Sequence, residues 1–386
     1  MKTTILAALL LSASATAAQA DALKANDKGI TLDQGDFKLN IGGRLHVDAA
    51  VFDDPALAQT GVTDVAIRRA RIEVSGEIGD LVKFRVDHEF AGNSKGWRNV
   101  WLAVTPTENT DIRGGNMIPP FSGEDLQSSN TIPFVERSLA SSLAPGFGLG
   151  GKAGVSGKRW SVNAGWFTDG LAADDGRQAE RGRGVVGRVT VLPVSNGDTR
   201  LHLALAGEHR TFKLGETLGF SADPGSTLAP NVMSSGTLVN LDKLTTWNAE
   251  AGASFGPLLV QAQAMGMRIT SSVAAPDLHF NGQTVQASWM VTGEHQDYSR
   301  STGNFSGPDL KRKGLALELA VRYSRLDLQD GLFDRGVGSA YTGAVNFYIW
   351  RNVRLSADFT HTKVDFGGLT PDRTNNVGVA RFQIAF

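Results

Sequence analysis

The alternation of hydrophobic and polar residues is clearest between Val65 and Phe90. Two segments in this region alternate strictly between apolar and polar side chains, one on each side of Gly79-Asp80. A period of two is typical of β-strands, because successive side chains point to opposite faces of a sheet. Gly-Asp is a common turn pair, so the pattern predicts a hairpin with one apolar and one densely charged face. Soluble sheets with one wet face and membrane barrels with a water-filled lumen both contain such hairpins.

Similar alternating segments follow one another from Phe37 to the C-terminus. They predict about sixteen strands of roughly 8–15 residues, the size of a general porin barrel. Short turns alternate with long connections, as in barrels with tight periplasmic turns and long external loops. The predicted long connections are 53–64, 117–148, 168–182, 210–244, 269–282, 327–339 and 363–375. The segment 293–313 is also long, although it falls where a short turn is due. We therefore predict an all-β, transmembrane antiparallel barrel.

The N-terminus has the three parts of a secretory signal peptide. Lys2 supplies a positive charge, residues 5–11 are apolar, and Ala18-Gln19-Ala20 is a small-residue cleavage site. The predicted organisation is a signal peptide (1–20), a short periplasmic leader (21–36) and one barrel domain (37–386). Beyond Ala20 no apolar run approaches the roughly 20 residues that a membrane helix requires, which excludes a helical membrane protein but not a barrel.

The last strand alternates up to the terminal residue, Phe386. In a closed barrel the last strand must pair with the first, because pairing removes both sheet edges. An alternating strand that closes on Phe is similar to the C-terminal signature of outer-membrane barrels. We therefore interpret Phe386 as an assembly signal for the barrel assembly machinery.

Charge and cysteine content narrow the possible partners only slightly. The chain has 38 Lys+Arg, 39 Asp+Glu and no cysteine. This balance favours no nucleic acid partner, and an exported chain without disulfides depends on packing and backbone hydrogen bonds. We expect lipid and lipopolysaccharide around the barrel, no metal and no cofactor.

The charged face of the first hairpin would line the lumen of a barrel. A three-residue loop pairs Arg71 with Glu89, whereas Arg69 has no acidic residue opposite. The parity of Arg68 is outward, so we expect it to face lipopolysaccharide or a neighbouring subunit. The alternative is a wall whose charges neutralise one another. The candidate pore-lining, anion-binding residues are Arg44, Arg69, Arg71, Lys83, Arg85 and Arg137.

The longest connection in the first half of the chain is 117–148. A loop of this length is usually functional, and we predict that it folds inward and narrows the pore. Its candidate constriction residues are Met117, Ile118, Phe121, Glu124, Asp125 and Glu136.

Two short motifs are typical of enzymes but lack the required context. Residues 92–96 match G-x-S-x-G and residues 146–152 match G-x-x-x-x-G-K, but neither precedes a helix in the predicted pattern. A barrel enzyme of the lipase or protease type, or a structural or adhesive barrel with a plugged lumen, are the alternatives to a diffusion channel. We predict no catalytic residues.

Several segments, in order, resemble the phosphate-selective porin O and P family. They include Gly43-Arg44-Leu45, Arg68-Arg69-Ala70-Arg71 and Phe134-Val135-Glu136-Arg137, and the resemblance spans nearly the whole mature chain. It implies a homotrimer of sixteen-stranded barrels in the bacterial outer membrane. It also implies that arginines at the positions of Arg44, Arg68 and Arg69 guide phosphate to a lysine-lined constriction. Here Ile118 stands where the family usually has a lysine, so we expect passive diffusion of small hydrophilic solutes with weak selectivity for anions such as phosphate.

Overall fold

A computed structural model describes residues 23–26, 29–92, 95–171, 182–310, 314–368 and 371–386. The predicted signal peptide lies outside the described residues. Within them, no helix is long and apolar enough to span a membrane. The helical segments are the single turn α1 (Gly123–Leu126) and the 3-10 turns Pro55–Leu57 and Leu139–Leu143.

Strands make up most of the described chain. They are β1 (Leu23–Asn26), β2 (Gly29–Gln34), β3 (Phe37–Asp54), β4 (Gln59–Ile78), β5 (Val82–Glu89), β6 (Gly96–Val104), β7 (Thr110–Met117), β8 (Gly148–Ser156), β9 (Trp160–Asp169), β10 (Arg183–Asn196), β11 (Thr199–Thr211), β12 (Ser221–Ala222), β13 (Met233–Ser234), β14 (Leu241–Phe255), β15 (Leu258–Ser271), β16 (Leu278–Met290), β17 (Gln296–Ser299), β18 (Asn304–Pro308), β19 (Ala316–Asp330), β20 (Phe333–Trp350), β21 (Val353–Asp365) and β22 (Arg373–Ala385).

Sixteen of these strands form one closed antiparallel barrel, in which each strand pairs with its neighbours along the chain and β22 pairs with β3. The wall strands are β3 to β11, β14 to β16 and β19 to β22. The all-β barrel with about sixteen strands is therefore confirmed. The register of the first hairpin is also confirmed, since Arg71 lies opposite Glu89 and Glu77 lies opposite Lys83.

The outer face of the wall is apolar and carries large exposed side chains. Six of the seven tryptophans are about half exposed there, as are many valines and leucines. The exposed tryptophans are Trp97, Trp160, Trp166, Trp247, Trp289 and Trp350. This surface is the one that faces lipid in a membrane barrel.

The barrel closes at a seam between β3 and β22. Both the N–H and the carbonyl of Phe386 bond to Gly43, at 3.0 and 2.7 Å. Further along the seam, Arg381 donates two hydrogen bonds to Asp48 at 2.6 and 2.7 Å, and both side chains are almost completely buried. β22 pairs with β3 from Arg44 onward, and β2 pairs with the earlier part of β3, from Phe37 to Ile41. The segment 21–36, which we interpreted as a leader, thus holds a hairpin of β1 and β2 that extends the wall.

Several connections are shorter than the sequence pattern suggests. The predicted loops 53–64 and 327–339 are mostly strand, with turns only at 55–58 and 331–332. Strands that project beyond the lipid are wet on both faces, so their sequences need not alternate. Periodicity therefore underestimates strand length at this end of the barrel, which carries the long loops.

The connection between β16 and β19 leaves from the opposite end of the barrel, where the short turns lie, and folds back into the lumen. Its hairpin of β17 and β18, here called the mouth hairpin, contacts inward-facing side chains of the wall. Arg188 donates to the carbonyl of Gly303 at 2.8 Å, and His202 bonds to the hydroxyl of Tyr298 at 2.8 Å. Its length is explained by this inward fold. Residues 311–313 of this connection lie outside the described part of the chain.

Two external segments also enter the lumen. These are the pore loop (118–147) and the loop 212–240, which together pack on apolar, inward-facing residues of the later strands. Leu139, Phe220 and Phe280 are representative members of the resulting cluster, and each is nearly inaccessible to solvent. One side of the lumen is thus filled by a hydrophobic core. The remaining opening lies against the wall of β3 to β7.

The buried pair at the seam generates a prediction about stability. Asp48→Ala leaves Arg381 buried, and its remaining counter-charge is Glu136, a carboxylate that it shares with Arg68. Removing one partner of a buried ion pair typically costs about 3–5 kcal/mol, because the other charge stays desolvated. We expect that loss in the free energy of unfolding, measured by guanidinium titration of the barrel in lipid vesicles. Glu77→Ala is the control, since Glu77 and Lys83 form an exposed pair at 3.1 Å worth about 0–1 kcal/mol. Equal losses in the two variants would contradict the assigned role of the seam.

Candidate pore

A cavity of about 460 Å³ runs along the inside of β3 to β7. The pore loop, the loop 212–240 and the mouth hairpin complete its lining. Its charged lining is strongly basic, because eight arginines meet three acidic residues there. The arginines are Arg44, Arg68, Arg69, Arg71, Arg85, Arg98, Arg113 and Arg137, and the acids are Asp125, Glu136 and Asp223.

A β-bulge explains why Arg68 and Arg69 both reach the cavity. The pairing of β3 with β4 shifts by one residue, so that His46 lies opposite Arg69 and Val47 lies opposite Ile67. Arg68 is the extra residue. A bulge re-aims side chains without ending the strand, and here it turns Arg68 inward. The expectation that Arg68 faces lipopolysaccharide or another subunit was wrong, because strict parity fails at a bulge.

Carboxylates compensate the arginines of this wall. Arg71 lies 3.2 Å from Glu89, Arg85 lies 2.6 Å from Glu73, and Arg44 lies 3.8 Å from Glu73. Arg69 is the most loosely paired of these, since its nearest carboxylate is Glu89 at 4.0 Å. Charge compensation of this kind was the sequence-based alternative to an anion site, and the geometry shows it in part.

Lys83 lies apart from the rest of the candidate set. It pairs with Glu77 beside the first short turn, and about 44 % of its side chain is exposed. The residues that line the cavity do not include it. Its position beside that turn places it outside the narrow part of the lumen.

The acidic residues of the pore loop hold the loop in shape. Glu124 accepts hydrogen bonds from the backbone and hydroxyl of Ser138 at 2.8 and 2.7 Å. Asp125 lies 3.5 Å from Arg137, whose guanidinium also donates to three loop carbonyls. These contacts within the pore loop hold its backbone in one conformation inside the lumen.

Glu136 fastens the pore loop to the wall. It accepts two hydrogen bonds from Arg68, at 2.7 and 3.1 Å, and one from Arg381 at 3.1 Å. Burial alone would raise the pKa of Glu136, but the two arginines outweigh it and hold the pKa below its usual value. The stabilisation it contributes is therefore complete above the ordinary carboxyl pKa of about 4.3 and is lost only as the pH falls through the lowered value.

The apolar residues at the start of the pore loop occupy different environments. Phe121 is fully buried in the lumen cluster, and its carbonyl accepts hydrogen bonds from Arg188 and Asn248. Met117, the last residue of β7, is almost completely buried and Ile118 is partly exposed, and both line the cavity.

Sequence reasoning missed part of this lining. Arg113 belongs to a strand whose inward parity was identifiable, but no motif distinguishes it. Arg98 reaches the cavity because the pairing of β5 with β6 shifts register between Val86 and His88, which alternation does not reveal. Polar residues of the loop 212–240 and Thr302 of the mouth hairpin also line the cavity. Nothing in a strand pattern could have revealed them, because their position depends on loops that fold back into the barrel.

Comparisons with known proteins agree with this architecture. The family model described as phosphate-selective porin O and P matches residues 39–386. A solved structure of OmpT, an outer membrane protein of Vibrio cholerae in its trimer form, shares 12 % identity, with a TM-score of 0.56 over 91 % of this chain and 99 % of that chain. OmpF of Salmonella typhi in complex with daunomycin shares 11 % identity, with a TM-score of 0.54 over 92 % and 100 %. No curated protein matches the chain in sequence. At these identities the structural likeness shows the fold alone.

Proposed function

The chain belongs to the phosphate-selective porin O and P family, and on that premise we propose that it conducts small anions across the outer membrane by passive diffusion. Membership in the family and the closed barrel make it an outer-membrane porin. The observation that supports anion passage is the excess of arginine around the lumen cavity. Rings of Arg or Lys give anion preference in pores.

The preference is weak in this proposal, because most of the arginines have a carboxylate close by. Glu73 and Glu89 lie within 4.0 Å of Arg44, Arg69 and Arg71. An anion that enters the pore must therefore compete with fixed counter-charges. It meets a positive but moderated potential, and the solutes that pass include chloride and phosphate.

The charge at Arg69 provides the test of this proposal. We expect the zero-current potential of the wild-type channel in a potassium chloride gradient to indicate anion preference. Arg69→Gln should move that potential toward zero, because it removes the most loosely paired cation of the β3–β5 wall. Lys83→Gln, which removes the same charge at an exposed site, should have the smaller effect because salt screens it. A cation-selective wild type would contradict the proposal, and a lack of conductance would favour a structural or adhesive barrel with a plugged lumen.

Strong phosphate selection would need several donors that converge at the narrowest point. Dehydration of an anion is costly, and fixed cations or N–H groups close to it offset that cost. Met117 and Ile118 offer no donor. We propose that phosphate passes without saturating the pore.

Millimolar phosphate should consequently leave the chloride conductance of the wild type nearly unchanged. Ile118→Lys should introduce a measurable block, because it adds a compact cation with three donors to the cavity lining. Ile118→Gln is the matched control, with a similar length and no charge. Current recordings in a planar bilayer measure all three proteins. Block of the wild type by low phosphate would show that the existing arginines already form a tight site.

The strands β5 to β9 support a trimer with this face at the subunit contact. They have only 8 to 10 residues, whereas the other wall strands have 13 to 20. Eight residues span about 26 Å along the strand, and less across the membrane once the strand is tilted, against an apolar band of about 25 Å. The outer face here also contains a patch of small exposed residues, in which Gly114 lies opposite Gly151 and Ala153 lies opposite Ala164. A neighbouring subunit would cover the outer face of these short strands.

Gly114→Phe should weaken the trimer, since it places a large ring on this flat patch. A side chain at Gly114 meets nothing within 4 Å in its own subunit, and the same holds for Gly343 on the outer face of β20. Gly343→Phe is therefore the control and should leave the oligomer intact. Cross-linking and electrophoresis without boiling compare the three proteins. Unchanged trimers in both variants would place the contact elsewhere on the barrel.

A further inference from the structure

The guanidinium of Arg113 lies over the indole ring of Trp101, 3.8 Å from the ring centroid, in the wall of the pore. Trp101 is the one tryptophan of the seven that does not point to the outer face. We propose that this stack is a selectivity site for planar aromatic carboxylates. The inference rests on the proposed anion-conducting function and names a class of solute for the same pore.

The backbone of β7 approaches β6 closely beside the stack. Gly115 lies opposite Trp101, and its φ of +133° is one that other residues rarely adopt. A Cβ at Gly115 would lie 2.7 Å from the Cα of Trp101 and 2.1 Å from the carbonyl oxygen of Val100. Arg113 is two residues before Gly115, so it is the diagonal neighbour of Trp101 on the inner face. The glycine thus permits this close approach of β7 to β6, and Arg113 lies over the indole ring from its diagonal position.

The local charge remains positive at this place. Arg113 donates to Asp111 at 2.6 Å, and Lys152 lies 3.0 Å from the same carboxylate. Two cations therefore share one acid. About 24 % of the Arg113 side chain is exposed, and the residue lines the cavity. A guanidinium held by a ring on one face can stack a second ring on the other, because it is planar and weakly hydrated.

A second cation and ring lie farther toward the long-loop end. Arg98 is 5.1 Å from the ring centroid of Phe147, and it precedes Trp101 by three residues, or about 10 Å along β6. Phe147 and Ile118 are partly exposed in the cavity. A planar apolar anion would thus find both charge and ring surface along its path. Inorganic phosphate gains nothing from the rings.

Benzoate and cyclohexanecarboxylate are the probes, since they have equal charge and carbon number but only benzoate is planar. Each is added to a channel that carries chloride current in a planar bilayer, and the half-blocking concentration is measured. For the wild type we expect benzoate to block at a concentration about two- to fivefold lower, the range of a partly exposed cation–π contact. Arg113→Lys keeps the charge but not the plane, so it should abolish this difference and retain the anion preference.

Trp101 supplies the second variant. Trp101→Phe should keep part of the difference and Trp101→Leu should remove it, and altered migration after boiling confirms that each variant is folded. An anion-selective wild type that both probes block equally would overturn the stacking site while the proposed function stands. Full benzoate preference in Arg113→Lys would also overturn it. A wild type that prefers cations, or carries no current, would overturn both proposals.

Discussion

A strand in lipid has no water with which to satisfy its backbone, so each N–H and C=O in the wall must pair with a neighbouring strand. The closed ring of sixteen strands meets this requirement, and its last pairing joins β22 to β3. The buried Arg381–Asp48 pair lies at this junction. Closure fixes which face of each strand meets lipid and which meets the lumen. The apolar exterior and the charged interior both follow from it.

The lumen imposes a second requirement, because it must be narrowed without a continuous plug. Three segments enter it: the pore loop, the loop 212–240 and the mouth hairpin. On one side they bury apolar residues of the later strands, and that side becomes a hydrophobic core. On the other side they leave an opening along β3 to β7. The position of the opening therefore depends on which inward-facing wall residues are apolar, because the loops pack on those residues.

The same charged residues hold the loops and face the solute. Arg68 and Arg381 bind Glu136 of the pore loop, while Arg68 also lines the cavity. A buried guanidinium needs partners to offset its desolvation, so structural pairing reduces the charge available to an anion. The weak selectivity that we propose follows from this double use. Tight selection would require cations that the fold does not also need.

Sequence by itself determined the barrel, its number of wall strands and the register of the first hairpin, because a period of two and turn residues are local properties of the chain. It also indicated that Arg69, Arg71 and Arg85 of that hairpin face inward. It did not reveal the turn of Arg68 into the lumen, the inward fold of the mouth hairpin, or the stack of Arg113 on Trp101. Those depend on a one-residue bulge, on contacts between segments distant in sequence, and on the close approach of two strands at Gly115. Only the tertiary structure decided them, since alternation specifies a face of the sheet but not what lies across the lumen from it.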